Sequence, residues 1–470
     1  MVNGEWQTSD QSFAVVNPAN EVAICQVAEV TVHQLEQAIL SADASLAVWQ
    51  QLGDAARSQC LIDWQQLMRD NLQDLARLIT LEQGKPLSEA KGEIIHAANY
   101  VKLYAQLAQD CRQAISIPAS EGQTAQVLRQ PIGVVTAITP WNFPCAMVLR
   151  KAAAAMAAGC SVVLKPSELT PLTAMAIAHL SIQAGIPKGV FNLVVGSNAQ
   201  AIGEILTQHP KVAKFSFTGS TQVGRKLLQQ CAFGIKRSSM ELGGNAPFIV
   251  CEDANLEQAI KGAMIAKFRN AGQTCVSANR FLLHESIADA FIRGLTQAIE
   301  QLIIGDGQNE TSQIGPLINQ AALDKTTDLI QQSLSLGATL IVGGKAMSGK
   351  GFFFAPSLVD KVTAQMPLFQ REIFGPVVAI TRFSSDQEMI TLANQSEKGL
   401  CGYLYSQDQK RIQQATQQIE VGLLGINVPR LSNIHAPFGG IKQSGMGREG
   451  GHYGIEEYLT YQYVCQQNGG

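Results

Sequence analysis

The chain has 470 residues, 46% hydrophobic and 16% charged, with a net charge of −3 at pH 7. That length divides into two or three cores rather than one, and the small net charge gives no global field for nucleic acid or an anionic membrane. Ten cysteines, with no C-x-x-C and no zinc-type Cys/His spacing, suit a reducing cytosol and no metal site.

MVNGEWQTSD carries no signal-peptide pattern, so a cytoplasmic protein is expected. The longest run free of Asp, Glu, Lys and Arg is 130–149, but Pro131, Pro140 and Pro144 interrupt it, so it does not span a bilayer. Residues 1–30 read as short extended segments with a turn at Asn17-Pro18. From Val32 to about Gln109 apolar residues recur at helical spacing, with Leu61, Trp64, Leu67 and Met68 as core. Gly84-Lys85-Pro86 breaks that run, and a new helix begins near Leu87.

The rhythm then alternates. Strands are expected at 127–129, 133–139, 161–164, 190–195 and 212–217. Helices are expected at 147–158, with Pro144 at its first position, and at 170–184, 199–206 and 222–230. A second alternation runs from Ala246 to about Ile426. The fold class is therefore α/β with two parallel-sheet layers. Tyr458 to Cys465 reads as a short terminal strand.

Sheets of this kind bind ligands at the carboxyl ends of their strands. Lys165-Pro166-Ser167-Glu168 and Thr218-Gly219-Ser220-Thr221 stand at two such ends. The first offers a lysine and a carboxylate to ribose hydroxyls; the second opens a helix whose N–H groups favour a pyrophosphate. Neither has G-x-G-x-x-G spacing. Cys275, after Gly272 and Thr274, is either an activated nucleophile or one more buried thiol. Glu241, beside Gly243 and Gly244, is a general base or an ion-paired glutamate. Asn142 is an oxyanion donor or an N-cap. Glu372, in Arg371-Glu372-Ile373-Phe374-Gly375-Pro376, belongs to a charged loop in an apolar context.

Together, Pro140–Pro144, Lys165–Glu168, Phe217–Ser220, Glu241–Gly244, Gly272–Cys275, Glu372–Pro376 and Pro437–Gly440 resemble the aldehyde dehydrogenase superfamily, in its order and over essentially the whole chain. The C-terminal run, from Gly425-Ile426-Asn427 through Leu431-Ser432-Asn433 to Ile455-Glu456, is most similar to its succinate-semialdehyde dehydrogenases. The resemblance implies two doubly wound, Rossmann-like parallel-sheet domains plus a small β oligomerisation element. Residues 1–112 and 132–240 would form the dinucleotide-binding domain, 241–440 the catalytic domain, and 113–131 with 441–470 the bridging segments.

It further implies Cys275 as nucleophile, Asn142 as oxyanion donor and Glu241 as base. NAD(P)+ would be bound by Trp141, Lys165, Ser167, Glu168, Gly219, Ser220, Glu372 and Phe374. Glu168 favours NAD+, because it repels a 2′-phosphate. Arg150, Arg269 and Ser432 would grip a substrate carboxylate, unless the arginines are structural ion pairs. Succinate semialdehyde is the expected substrate and glutarate semialdehyde the near alternative, since a methylene discriminates by only about 1–3 kcal/mol. A homodimer or homotetramer is implied. Ser277 stands where some members carry a second cysteine. A thiol hydrolase using Cys275 and Glu241 is the rival from another class; no histidine near in sequence supports it.

Overall fold

Val134–Ile138 (VVTAI) and Ser161–Lys165 (SVVLK) are almost wholly buried, which is why they read as unbroken apolar runs rather than alternating ones. In the computed structural model, which describes residues 1–468, they lie at the centre of a six-stranded sheet. Its order is Gly445–Met446, Arg237–Glu241, Val212–Thr218, Val134–Ile138, Ser161–Lys165, Phe191–Leu193. All pairs are parallel except the first. The earliest of its parallel strands in sequence, Val134–Ile138, is internal, and strand order reverses beside it. A crevice therefore opens where Val134–Ile138 and Val212–Thr218 end.

The second sheet has seven strands: Thr339–Val342, Ser357–Asp360, Val377–Phe383, Ala278–His284, Ala246–Val250, Cys401–Tyr405, Leu423–Ile426. Only Thr339–Val342 is antiparallel to its neighbour. Glu241–Asn245 leads directly from the first sheet into Ala246–Val250. Cys275 and Glu372 lie just before Ala278–His284 and Val377–Phe383, which are adjacent and parallel. The carboxyl edge of one sheet and the amino edge of the other thus present their loops to one space.

Four helices, Val32–Gln51, Asp54–Asp70, Leu72–Gln83 and Leu87–Leu107, form the N-terminal layer. Leu61, Trp64 and Met68 are fully buried there, as their spacing predicts. Their core is continuous with the alanine-rich helix Ala146–Ala157, every residue of which is buried. Pro144 does not open that helix, contrary to expectation; Cys145 caps it. The physical reason is Glu93, whose Oε1 accepts the Cys145 and Ala146 N–H groups at 2.9 and 3.1 Å and so sets where the helix begins.

A separate three-stranded sheet joins Ile115–Ile117, Gln123–Pro131 and Leu459–Gln467. Among the described residues no helix is long and apolar enough to cross a membrane, and no group of three or more His, Cys, Asp or Glu could hold a metal.

Candidate active site

Asn270, Ala271 and Gly272 all take left-handed backbone, at φ 52°, 52° and 74°. A Cβ on Gly272 would run into the Gly375 carbonyl, so only glycine fits. For Ala271 such a conformation costs about 1–3 kcal/mol and persists only where neighbours over-determine it. They do. Gln273 Nε2 donates to the Asn270 and Pro316 carbonyls at 3.2 Å, and its Oε1 accepts from Ile318 N–H at 2.9 Å. Glu89 Oε2 accepts from Asn270 N–H at 2.8 Å. This turn delivers Cys275, half-buried, to the wall of a cavity of about 960 Å³.

Asn142 lines the same cavity. It is not an N-cap. Its Nδ2 donates to the Gln273 carbonyl at 2.9 Å, and its own carbonyl accepts from Lys85 Nζ at 2.7 Å and Asn270 Nδ2 at 3.0 Å. An amide nitrogen carries two N–H groups, so one remains for a ligand. Lys85 is held in turn by Glu93 at 2.5 Å and lies over the Phe143 ring at 3.9 Å.

Glu241, at the end of Arg237–Glu241, also faces the cavity. It is no ion-paired glutamate: both carboxyl oxygens are buried without a partner. Burial, then the charge of Glu449, pushes its carboxyl far above the usual range. Glu449 differs. Burial works against its ionisation too, but Lys151 at 2.7 Å and Arg150 at 3.1 Å outweigh it and hold it below the usual range. Burial, followed by the nearby Glu372 charge, pushes the Cys275 thiol up to about 12.

Trp141, Gly219, Ser220, Glu372 and Phe374 lie on this one wall as well. Trp141 and Phe374 meet edge to face at 5.6 Å. Glu372 Oε1 accepts the Gly244 N–H at 2.9 Å, and a Cβ on Gly243 would fill the space beside its carboxylate. The Ser220 hydroxyl caps the helix Thr221–Ala232. Lys165, Ser167 and Glu168 do not line the cavity. Lys165 and Glu168 pair with each other at 3.1 Å. Their strand lies two places from Val212–Thr218, roughly 10 Å along the sheet edge at ordinary strand spacing.

Arg150, Arg269 and Ser432 complete the expected set on the cavity wall. The structural reading of Arg150 holds in part, because Glu449 engages it; Arg269 makes no ion pair among the described residues. Sequence reasoning missed Lys85, Glu89, Glu93, Glu449 and Arg430. The one available signal was spacing: Glu89 and Glu93 stand four apart on one helix face and so reach the same neighbours.

The aldehyde dehydrogenase family model matches residues 6–464. The chain is 47% identical to a succinate-semialdehyde dehydrogenase [NADP(+)] of Escherichia coli K12, covering 99% of this chain and 97% of that one. It is 46% identical to a 3-sulfolactaldehyde dehydrogenase of Pseudomonas putida, over 99% and 96%. A crystal structure of succinate-semialdehyde dehydrogenase from Burkholderia pseudomallei superposes with a TM-score of 0.97 at 44% identity, over 99% and 97%. The chain belongs to the aldehyde dehydrogenase family. Its activity is NAD(P)-dependent aldehyde oxidation.

The residues present fit a nicotinamide nucleotide. The Thr218 hydroxyl is buried without a partner on the cavity wall, next to a capped helix start that favours phosphate. The space that a Gly243 side chain would fill lies against Glu372.

Proposed function

We propose that the protein oxidises succinate semialdehyde to succinate through a covalent intermediate on Cys275. One observation carries the reading: Cys275, Asn142, Glu241, Arg150, Arg269 and Ser432 line a single cavity. Sulfur, amide, carboxylate and guanidinium are the groups this reaction needs.

Cys275 gives its proton to solvent as its sulfur adds to the aldehyde carbon, giving a thiohemiacetal. The developing oxyanion is met by the free Asn142 N–H and the Cys275 backbone N–H; such a donor contributes about 3–4 kcal/mol. A bound oxidised nicotinamide supplies the acceptor for the hydride that leaves this carbon. Glu241, whose carboxyl oxygens lie unpartnered at the cavity, then takes a proton from the water that opens the thioester. Arg150, Arg269 and Ser432 hold the substrate carboxylate.

Glu372 binds the nicotinamide ribose, Ser220 the pyrophosphate, and Lys165 with Ser167 and Glu168 the adenosine ribose, with NAD+ favoured by Glu168. Residues 1–112 and 132–240 form the nucleotide-binding domain and 241–440 the catalytic domain. Residues 113–131 and 441–470 bridge them and join copies into a homo-oligomer in the cytoplasm. Replacing Cys275→Ala is expected to abolish NADH and NADPH formation from succinate semialdehyde while leaving nucleotide binding intact. Turnover that survives the substitution removes the assignment.

A further inference from the structure

Three guanidiniums, those of Arg150, Arg269 and Arg430, line the cavity. Arg150 is engaged by Glu449 at 3.1 Å and lies over the Phe438 ring at 4.1 Å. His96, on the same wall, is pushed down to about 4 by burial and by Arg150 and Arg269, and is therefore a neutral ring at pH 7. Arg269 stands over the Phe143 ring at 5.4 Å, in the field of Glu89. Glu449 is shared by Lys151 at 2.7 Å and Arg150, and Arg150 Nη2 is buried without a partner, so positive charge remains at this end of the cavity.

Arg430 is the remaining guanidinium on the wall. It is exposed and makes no ion pair among the described residues. With Arg269, Ser432 and Thr274 it also borders a side recess of about 10 Å³. Its charge reaches Glu89, as that of Arg269 does, and both residues border this recess.

We propose that Arg430 is a specificity-determining residue of this enzyme, adding a solvated positive charge, beside Arg269 and Ser432, that helps select aldehydes with an anionic tail. It acts on the carboxylate together with Arg150, Arg269 and Ser432. The inference rests on the reading of the site as one for a carboxylated aldehyde. Because Arg430 is solvated, its pull is partly screened and falls as salt rises. Its planar fork also pairs with a carboxylate, which a lysine does only as a point charge.

The test compares wild type, Arg430→Ala and Arg430→Lys on succinate semialdehyde and on uncharged hexanal, at low and high salt. Arg430→Ala is expected to raise KM for succinate semialdehyde about tenfold, equivalent to about 1.4 kcal/mol, with kcat little changed. It is expected to alter the hexanal KM far less, and hexanal turnover shows that the variant is folded. Arg430→Lys recovers most of the loss, and the difference between wild type and Arg430→Ala narrows in high salt. An equal change for both aldehydes, or a KM ratio indifferent to salt, overturns the role of Arg430. A wild type without preference for succinate semialdehyde overturns the carboxylated-aldehyde reading and this inference together. A wild type with that preference, kept intact in Arg430→Ala, overturns this inference alone.

Discussion

Cys275 is a protonated thiol in the free protein. Burial and the Glu372 charge lift it to about 12, so only a minute fraction is thiolate at pH 7. The sign is direct: each step up in pH below that value multiplies the thiolate about tenfold. Alkylation of Cys275 by iodoacetamide, followed on its peptide by mass spectrometry, is therefore expected to accelerate from pH 7 to pH 10 without levelling. A plateau near pH 8 would show an ordinary or activated thiol instead. A second outcome belongs to Glu168. Its pairing with Lys165 keeps a carboxylate at the end of Ser161–Lys165. Glu168→Ala is expected to raise kcat/KM for NADP relative to NAD, and an unchanged ratio refutes the charge argument.

At the scale of elements, the N-terminal helix Leu87–Leu107 and the loop before it reach the reaction centre from the opposite layer. Glu93 holds Lys85 and starts Ala146–Ala157; Lys85 holds the Asn142 carbonyl; Glu89 holds the turn before Cys275. Lys85→Met leaves Glu93 as a buried carboxylate without its partner. Loss of one partner of a buried pair costs about 3–5 kcal/mol, so a marked fall in Tm is expected by calorimetry. The double change Lys85→Met with Glu93→Gln is expected to recover part of it; no recovery would show that the pair itself is not the source.

These contacts also mark the limit of what the sequence discloses. Parallel strands were legible because buried strands are apolar throughout, and the loops at their ends because Gly, Ser and Thr gather there. Asn142, Glu241 and Cys275 were legible as letters in familiar surroundings. Lys85 was legible only as part of a Gly-Lys-Pro helix break, because its burial depends on a glutamate eight residues on and a carbonyl fifty-seven residues on. The Glu93 cap on a helix that Pro144 was expected to open was hidden for the same reason: long-range partners leave no local period.

At the scale of the whole molecule, the outer strand of the three-stranded sheet is left largely uncovered by its own chain. Leu459–Gln467 pairs along its full length with Gln123–Pro131 on one side only, and after Leu459 every residue of the strand is exposed. Tyr461, Tyr463 and Val464 are 52%, 63% and 37% exposed. A long apolar edge strand invites another chain unless it is guarded by charge or proline, and LTYQYVCQQ contains neither. A second copy of the chain is the natural cover, which accords with the proposed homo-oligomer. Replacing Tyr463→Lys and Val464→Lys places charge on that strand, remote in sequence from every proposed active-site residue. The mass measured by light scattering is expected to drop to that of a smaller assembly, with the two-sheet core still folded by circular dichroism. If the wild type is already a monomer, or the double variant keeps its mass, this strand does not carry the assembly.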